Sequence, residues 1–427
     1  MSTATFLNVL RLTGCSLLLT ACVSQSVRTV DMTPPREAAT IIPESELLDV
    51  GVAVWDPNIP EDYDTQVKEI ITPDIRRAEA NFMAYTQKQL LQSTGNWGAV
   101  RVIPRPTNAV DVVVRGKILH SDGERLIAQV SVIDATGKLW FDRKYESIAS
   151  KYAYDDSLPQ GVDAFQPLYR TVADDMLDYR MHLSSKEIQR IRTVAEMKFA
   201  REFSPDAFKS YVEITEDGKT ELRRLPAPDD PMLQRVRKIR EREYLFIDTL
   251  DEYFTQFDRA MVRPYTDWRR ATFEEVLAMR ELRAQSRARM VAGTVAILGG
   301  VAGQYKGDNA ATAIGGTVGV IAGATLLKSA IAKKAEAQIH ADVLQELGNS
   351  AEADLTPHTI ELENQSVRLT GTVDQQYREF RRILRKLYFD DMGLELPADA
   401  QDGTAAEPDA SPVQEIRINA LRNDDSQ

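Results

Sequence analysis

Apolar positions along the chain change period several times, and each change marks an expected element. Leu48 to Trp55 is a compact apolar run of strand type, closed by the turn-forming Asp56-Pro57-Asn58 and an acidic loop. Thr72-Pro73-Asp74 reads as a helix start, with proline at the first helical position, where its missing N–H is harmless. Ile75, Ala78 and Phe82 then recur at helical spacing, Leu90 and Leu91 extend the stripe, and Gly95 stops it. Three strand candidates follow. Val100 to Val102 leads into Pro104; Val110, Val112 and Val114 alternate; Leu126, Ala128, Val130 and Val132 alternate again, with Gln129 and Ser131 on the other face. Asp122-Gly123 and Asp134 to Gly137 have hairpin-turn chemistry, Leu139 to Tyr145 supplies a further strand, and Phe165, Leu168, Val172 and Met176 an amphipathic helix.

The second half is mainly helical. Val236, Ile239, Phe246, Leu250, Tyr253 and Phe257 form one long stripe, while the basic run Arg235, Arg237, Lys238, Arg240 and Arg242 reads as a solvated face. Pro264 is expected to break this helix, and Thr272 with Glu275 to restart it as a capping box. Between Met290 and Ala330 composition shifts to glycine and small apolar residues, in two arms separated by the polar loop Gln304 to Asn309. Gly299 and Gly303 on the first arm, and Gly315, Gly319 and Gly323 on the second, lie four residues apart, which aligns each set along one side of a helix. Glycine costs about 1 kcal/mol per helical position, so a repeated stripe implies close contact between helices. Arg287, Arg289, Lys328, Lys333 and Lys334 make both ends of the hairpin basic. The first arm is shorter than a bilayer span of about 20 residues and the second just long enough. A membrane-inserted hairpin, a hairpin packed against a neighbouring protomer and a buried helical pair in one soluble domain all remain open. Beyond it, Ala335 to Leu347 continues as helix, Thr359 to Leu362 and Val367 to Val373 read as strands, and Phe380, Ile383, Leu384 and Leu387 as a helix.

At 427 residues there is sequence for more than one unit. The expected fold class is α+β: a small α/β sandwich domain, then long helices, a Gly-rich helical hairpin and a small strand-strand-helix module. The expected boundaries are a signal peptide at 1–21, a tether at 22–46, the α/β domain at 47–182, a helical region at 183–289, the hairpin at 290–334, the last module at 335–392 and a disordered tail at 393–427.

Cysteine usage sets the compartment. The N-terminus has one charge at Arg11, an apolar run at Leu17 to Leu19, and small residues ending in Ala21-Cys22, the three parts of an export signal with a thiol at the cleavage point. Leu12-Thr13-Gly14-Cys15 fits the same short pattern, but Arg11 interrupts its upstream apolar stretch, so cleavage is placed between Ala21 and Cys22. Removing residues 1 to 21 takes Arg11 and no acid, which carries the net charge from −12 to −13 and leaves Cys22 as the single cysteine. An acidic chain of pI near 5.1 lacks the positive field that nucleic acid requires, and no thiolate nucleophile or cysteine metal site remains. His120, His182, His340 and His358 are scattered without metal-ligand spacing, and adjacent acids such as Asp174-Asp175, Asp229-Asp230 and Asp390-Asp391 point apart. Gly218-Lys219-Thr220 lacks the upstream glycine of a phosphate cradle. The expectation is a protein without catalytic residues, cofactor or metal.

Leu19-Thr20-Ala21-Cys22 resembles the lipobox of bacterial lipoproteins, which implies diacylglycerol and palmitate on Cys22. Val23 is not the aspartate that retains such proteins at the inner membrane, so the resemblance implies a lipid anchor on the periplasmic face of the outer membrane. Val50 to Trp55, the helix ending at Gly95 with Trp97, the strand Val110 to Gly116 and the Asp134 to Gly137 turn resemble the periplasmic domain shared by the curli-secretion and penicillin-binding-protein-activator lipoproteins. Members of that class bind partner proteins or oligomerise. The glycine stripe is similar to the glycine-zipper segments of outer-membrane lipoproteins, and helix, two strands with a V-x-L-x-G-x-V core, then helix is similar to the BON module; that resemblance implies lipid-facing roles for Arg381, Arg382, Arg385 and Lys386, whereas their charge pattern by itself favours a solvated face. Together these imply a scaffold in envelope assembly or secretion that forms a homo-oligomer or binds an envelope protein. A regulator reaching an inner-membrane cell-wall synthase, and a hydrolase with an unrecognised site, are the alternatives; a tether of about 24 residues reaches less than about 85 Å, which disfavours the first.

Overall fold

The computed structural model describes residues 31–303 and 358–395, apart from 70, 151, 156–161, 216, 228, 363–364 and 370–371; at 67–69, 275, 278–303 and 358–368 it describes backbone alone. The fold is α+β. A five-stranded sheet of order β2-β1-β3-β4-β5 is built from Val50–Ala53, Val100–Ile103, Val112–Ser121, Arg125–Asp134 and Leu139–Ile148. β1 runs parallel to both neighbours, and β3, β4 and β5 form an antiparallel meander. Every residue of β1 is buried, as a strand covered on both faces requires.

One sheet face carries Val50, Val52, Val112, Val114, Ile118, Ala128, Val130 and Val132, all buried. Each contributes about 1.5 to 3 kcal/mol where it is a valine or isoleucine fully removed from water. Helices α2 (Pro73–Ser93) and α3 (Gln166–Met181) cover this face. Trp55 lies 6.0 Å from the Tyr169 ring of α3, and the Tyr145 hydroxyl of β5 donates to Asp175 of α3 at 2.7 Å. The acidic loop expected after β1 contains a short helix, α1 (Tyr63–Glu69).

Helix α4 (Ser185–Phe203) starts on a capping box between Ser184 and Glu187, and α5 (Pro205–Phe208) follows. Within the stretch expected to be helical, Val212–Ile214 (β6) and Thr220–Leu222 (β7) pair as a small hairpin, with Gly218 at positive φ in its turn. Helix α6 then runs from Pro231 to Gly303 without interruption. The break expected at Pro264 is absent. Proline forfeits one hydrogen bond to the preceding turn, but buried Met261 and Tyr265 on either side hold the helix in register. Nor does Thr272 cap a new helix: its hydroxyl donates back to the Trp268 and Arg269 carbonyls, the usual arrangement of a threonine inside a helix.

At the C-terminal side, β8 (His358–Leu362) pairs with β9 (Gln365–Leu369), and α7 (Val373–Asp391) follows from a capping box of Thr372 and Gln375. Phe246 of α6 stacks on Phe380 of α7 at 4.1 Å, and residues from the sheet, α6 and α7 belong to one apolar cluster. The segments on either side of residue 182 therefore share a core. Cys22, Ala21, Gly315, Gly319, Gly323 and His340 lie outside the described residues, as do most of the expected tether's first part and tail; Gly299 and Gly303 fall on the helical backbone at the end of α6. Among the described residues no helix is long and apolar enough to cross a membrane.

Candidate assembly site

The long helix that carries the first glycine-rich arm is fastened to the α/β domain along the exposed flank of the sheet. β2 is an edge strand, and an uncovered edge is a template for unwanted pairing. α6 covers it and continues along α2. Arg101 of β2 donates to Asp248 at 2.6 Å, Lys88 of α2 reaches Asp251 at 3.0 Å, and the Tyr85 and Thr255 hydroxyls meet at 2.9 Å.

Three charged nodes fix the helix at further points. The first holds the loop before β3. Arg240 donates from Nε to the Ala109 carbonyl at 2.8 Å, and the Tyr244 hydroxyl donates to the same oxygen. Asp111, two residues after Ala109, accepts the Asp49 N–H at 2.9 Å and faces Arg240 at 3.7 Å. Burial pushes the Asp111 carboxyl up to about 6, against the pull of Arg240 and of the hydrogen bond from the Asp49 N–H; the Asp49 charge adds a smaller upward push and Arg192 a smaller downward one.

Glu243, fully buried, makes the second node. It accepts the Tyr377 hydroxyl at 2.6 Å and the Thr107 hydroxyl at 3.1 Å. Arg381 of α7 lies 3.3 Å from Glu243 and 2.7 Å from Glu202 of α4, at ion-pair distance but without hydrogen-bond alignment. Four segments meet here: α4, the loop after β2, α6 and α7. Burial lowers the proton affinity of Arg381, and the two carboxylates more than reverse that, so it stays charged.

A third node sits further along α6, about six turns beyond the second. Glu79 of α2 accepts the Ser121 and Tyr265 hydroxyls, each at 2.6 Å, and pairs with Arg76 at 3.0 Å. Arg269 donates to Asp163 at 2.6 Å and to the Tyr265 hydroxyl at 2.7 Å, and its guanidinium lies 3.7 Å from the Tyr265 ring centre. Gly123, in the β3–β4 turn, abuts the helix backbone so closely that a Cβ there would collide with the Arg269 carbonyl and the Phe273 nitrogen. That glycine was legible as a turn residue; its role as the contact point for α6 was not.

These findings correct two sequence expectations. Arg240 leaves the solvated face expected of this run to hold the loop, while Arg237, paired with Glu196 at 2.6 Å, and Lys238 are exposed as expected and Arg235 contacts Met392. Nor does α7 present all its basic residues outward. Arg381 points into the second node and Arg385 donates to the Glu202 carbonyl at 3.2 Å, while Arg382 stays exposed beside Glu379. The adjacent acids do point apart, Asp174 to Arg36 and Asp175 to Arg143. His120 meets Asp122 at 2.8 Å, His182 meets the Asp178 carbonyl at 2.6 Å, and Gly218-Lys219-Thr220 belongs to the β6–β7 hairpin. Among the described residues no three His, Cys, Asp or Glu side chains converge into a metal site.

The buried Asp111 gives the first node a pH signature. A carboxyl raised in the fold favours the folded state while it is neutral, so its contribution is intact below about pH 4 and is lost as pH rises through about 6, by about 3 kcal/mol. Asp258, pushed up to about 6 by burial beside Asp163, adds a slope of the same sign. Asp111→Asn keeps an acceptor for the Asp49 N–H and removes only the first of these slopes. Denaturation between pH 4 and 7.5 is expected to show a flatter profile for the variant, with the gain at the neutral end; parallel profiles would refute the assignment.

No protein-family model matches the chain, and no curated protein matches it.

Proposed function

We propose that this protein is a non-enzymatic lipoprotein, anchored through acylated Cys22 at the periplasmic face of the outer membrane, that acts as a scaffold in envelope assembly or secretion. The membrane lipid is its first partner. Its second is another copy of the chain or an envelope protein, gripped through the glycine-rich segment around Gly299, Gly303, Gly315, Gly319 and Gly323.

The observation that carries this reading is the seat of α6. A helix whose sequence turns into a glycine-rich apolar arm is bolted to the α/β domain at three buried or half-buried charged nodes over residues 240 to 273, about 50 Å of helix axis. Such an arrangement transmits position from the domain to the arm without needing a reaction. The N-terminal segment adds to it: from Asp31 onward the chain is pinned to α3, so only residues 22 to 30, about 30 Å at full extension, separate the acylated residue from the domain surface. That reach favours a role close to the membrane over regulation of a synthase across the periplasm.

Two measurements test the proposal. Intact mass of detergent-extracted protein is expected to correspond to a chain beginning at Cys22 with added acyl groups, and globomycin to accumulate the precursor; a molecule still beginning at Met1 without lipid would refute the anchor. Gly319→Leu is expected to lower the oligomer mass seen by light scattering after size exclusion, or to weaken partner capture, because a bulky side chain separates helices whose contact depends on absent ones. An unchanged mass and unchanged capture would refute the role of the glycine stripe.

A further inference from the structure

The segment expected to be a free tether is instead laid along the domain. Arg170 of α3 donates to Asp31 at 2.7 Å. Arg36 places its backbone N–H on the Asp174 carboxylate at 2.9 Å, and its guanidinium on the Asp174 carbonyl at 2.9 Å and on Asp178 at 2.6 Å. Asn96, just after α2, reads the backbone twice: its amide donates to the Arg36 carbonyl at 3.0 Å and accepts the Ala38 N–H at 2.8 Å. Further along, Arg192 holds the Glu44 carbonyl at 3.0 Å and Arg180 the Glu46 carbonyl at 3.1 Å.

What the strap lacks is apolar burial. None of residues 31 to 47 is fully buried, Ile41 is 98% exposed, and the first core residue is Leu48. Its ion pairs are themselves open to water, with Arg36 and Asp178 each about half exposed. Pairs of this kind are screened by salt and individually weak, and segments held by few buried contacts open at the low end of a protein's range of local stabilities. Detaching the strap therefore withdraws none of its own side chains from the core, while it uncovers the buried polar Asn96 and Arg180 that hold its backbone.

We propose that residues 31 to 47 are a releasable strap that sets the working length of the lipid tether. Docked, the strap leaves residues 22 to 30 between anchor and domain, a ceiling of about 30 Å; released, it frees the chain up to Leu47, a ceiling of about 85 Å. The α3 side is thus held to the membrane in one state and the whole domain ranges nearly three times as far in the other. This inference rests on acylation of Cys22 for the meaning of the reach, while the docking itself does not.

The test uses the full acylated chain in lipid vesicles, compared with its Arg36→Ala/Arg170→Ala variant. Hydrogen exchange of peptides covering 31 to 47 is expected to be about tenfold faster in the variant, and in the wild type at high salt, with α3 amides unchanged. A donor dye on Lys144→Cys, with acceptors in the headgroups, is expected to transfer less energy in the variant. Wild-type strap peptides that exchange as fast as the variant's would overturn the docking, and a variant in which α3 also loses protection would overturn release without damage to the core. Faster exchange with unchanged energy transfer would overturn the control of reach. Repeating vesicle binding with Cys22→Ser separates the two readings: a chain that stays bound without its cysteine defeats the anchor, and with it the tether role, but leaves the docked strap standing.

Discussion

Replacing Arg269 with methionine should destabilise the protein by about 3 to 5 kcal/mol, the usual cost of removing one member of a buried ion pair. Arg269 is 2% exposed and completes a continuous path from the loop at Asp163 through Tyr265 to Glu79, Arg76 and Ser121. Methionine fills much of the volume of the stem, so loss of packing is small and the charge is what disappears. Asp163 would lose the guanidinium it pairs with and be left beside Asp258, and the Tyr265 hydroxyl would lose a donor. Burial pushes the Tyr265, Tyr169 and Tyr154 hydroxyls upward, so the rings around the site stay neutral and none replaces the lost positive charge. Urea denaturation reads the effect as a lower midpoint, and hydrogen exchange should locate it at the β3–β4 turn, where Gly123 touches the helix. A loss below about 1 kcal/mol would mean that the node is not what holds α6.

The sheet was legible in the sequence because its strands combine alternating valines with unambiguous turns: Asp122-Gly123 and Asp134 to Gly137 fall between β3, β4 and β5 as expected. The start of α2 at Pro73 and its end before Gly95 were legible for the same local reasons, although Thr72 makes no side-chain cap bond. What local chemistry cannot encode is a decision made by packing. Pro264 is a breaker taken alone, and inside α6 it is outvoted by the buried residues on either side. The β6–β7 hairpin was hidden because its strands are three residues each and too short to show a period.

The charged nodes were missed for a more instructive reason. Glu243, Arg269 and Arg381 stand inside windows rich in charge, where a solvated face is the natural assignment. Their register says otherwise. Glu243 lies four residues after Ile239 and three before Phe246; Arg269 lies four from both Tyr265 and Phe273; Arg381 lies four after Tyr377 and three before Leu384. Those spacings place each charge on the apolar stripe of its own helix rather than opposite it. A charged residue flanked at helical spacing by two large apolar ones is therefore a candidate for a buried pair, and its partner must come from another element.

Helix α7 allows that rule to be tested inside one element. Arg381→Met should cost about 3 kcal/mol, because it leaves the buried Glu243 and its neighbour Glu202 without their shared cation. Arg382→Ala, one residue on, should cost under about 0.5 kcal/mol, since its pair with Glu379 is exposed on both sides. If the basic residues of α7 served a lipid surface instead, the order would invert in a vesicle-binding assay, with the exposed Arg382 and Lys386 mattering and Arg381 not. The two assays together separate a helix that closes the junction of α4, α6 and the loop after β2 from one that reads headgroups. Equal stability losses at 381 and 382 would deny the node its role. A large loss at 381 alone would show that α7 is part of the clamp on α6, joined to it through the Glu243 node and the Phe246–Phe380 stack.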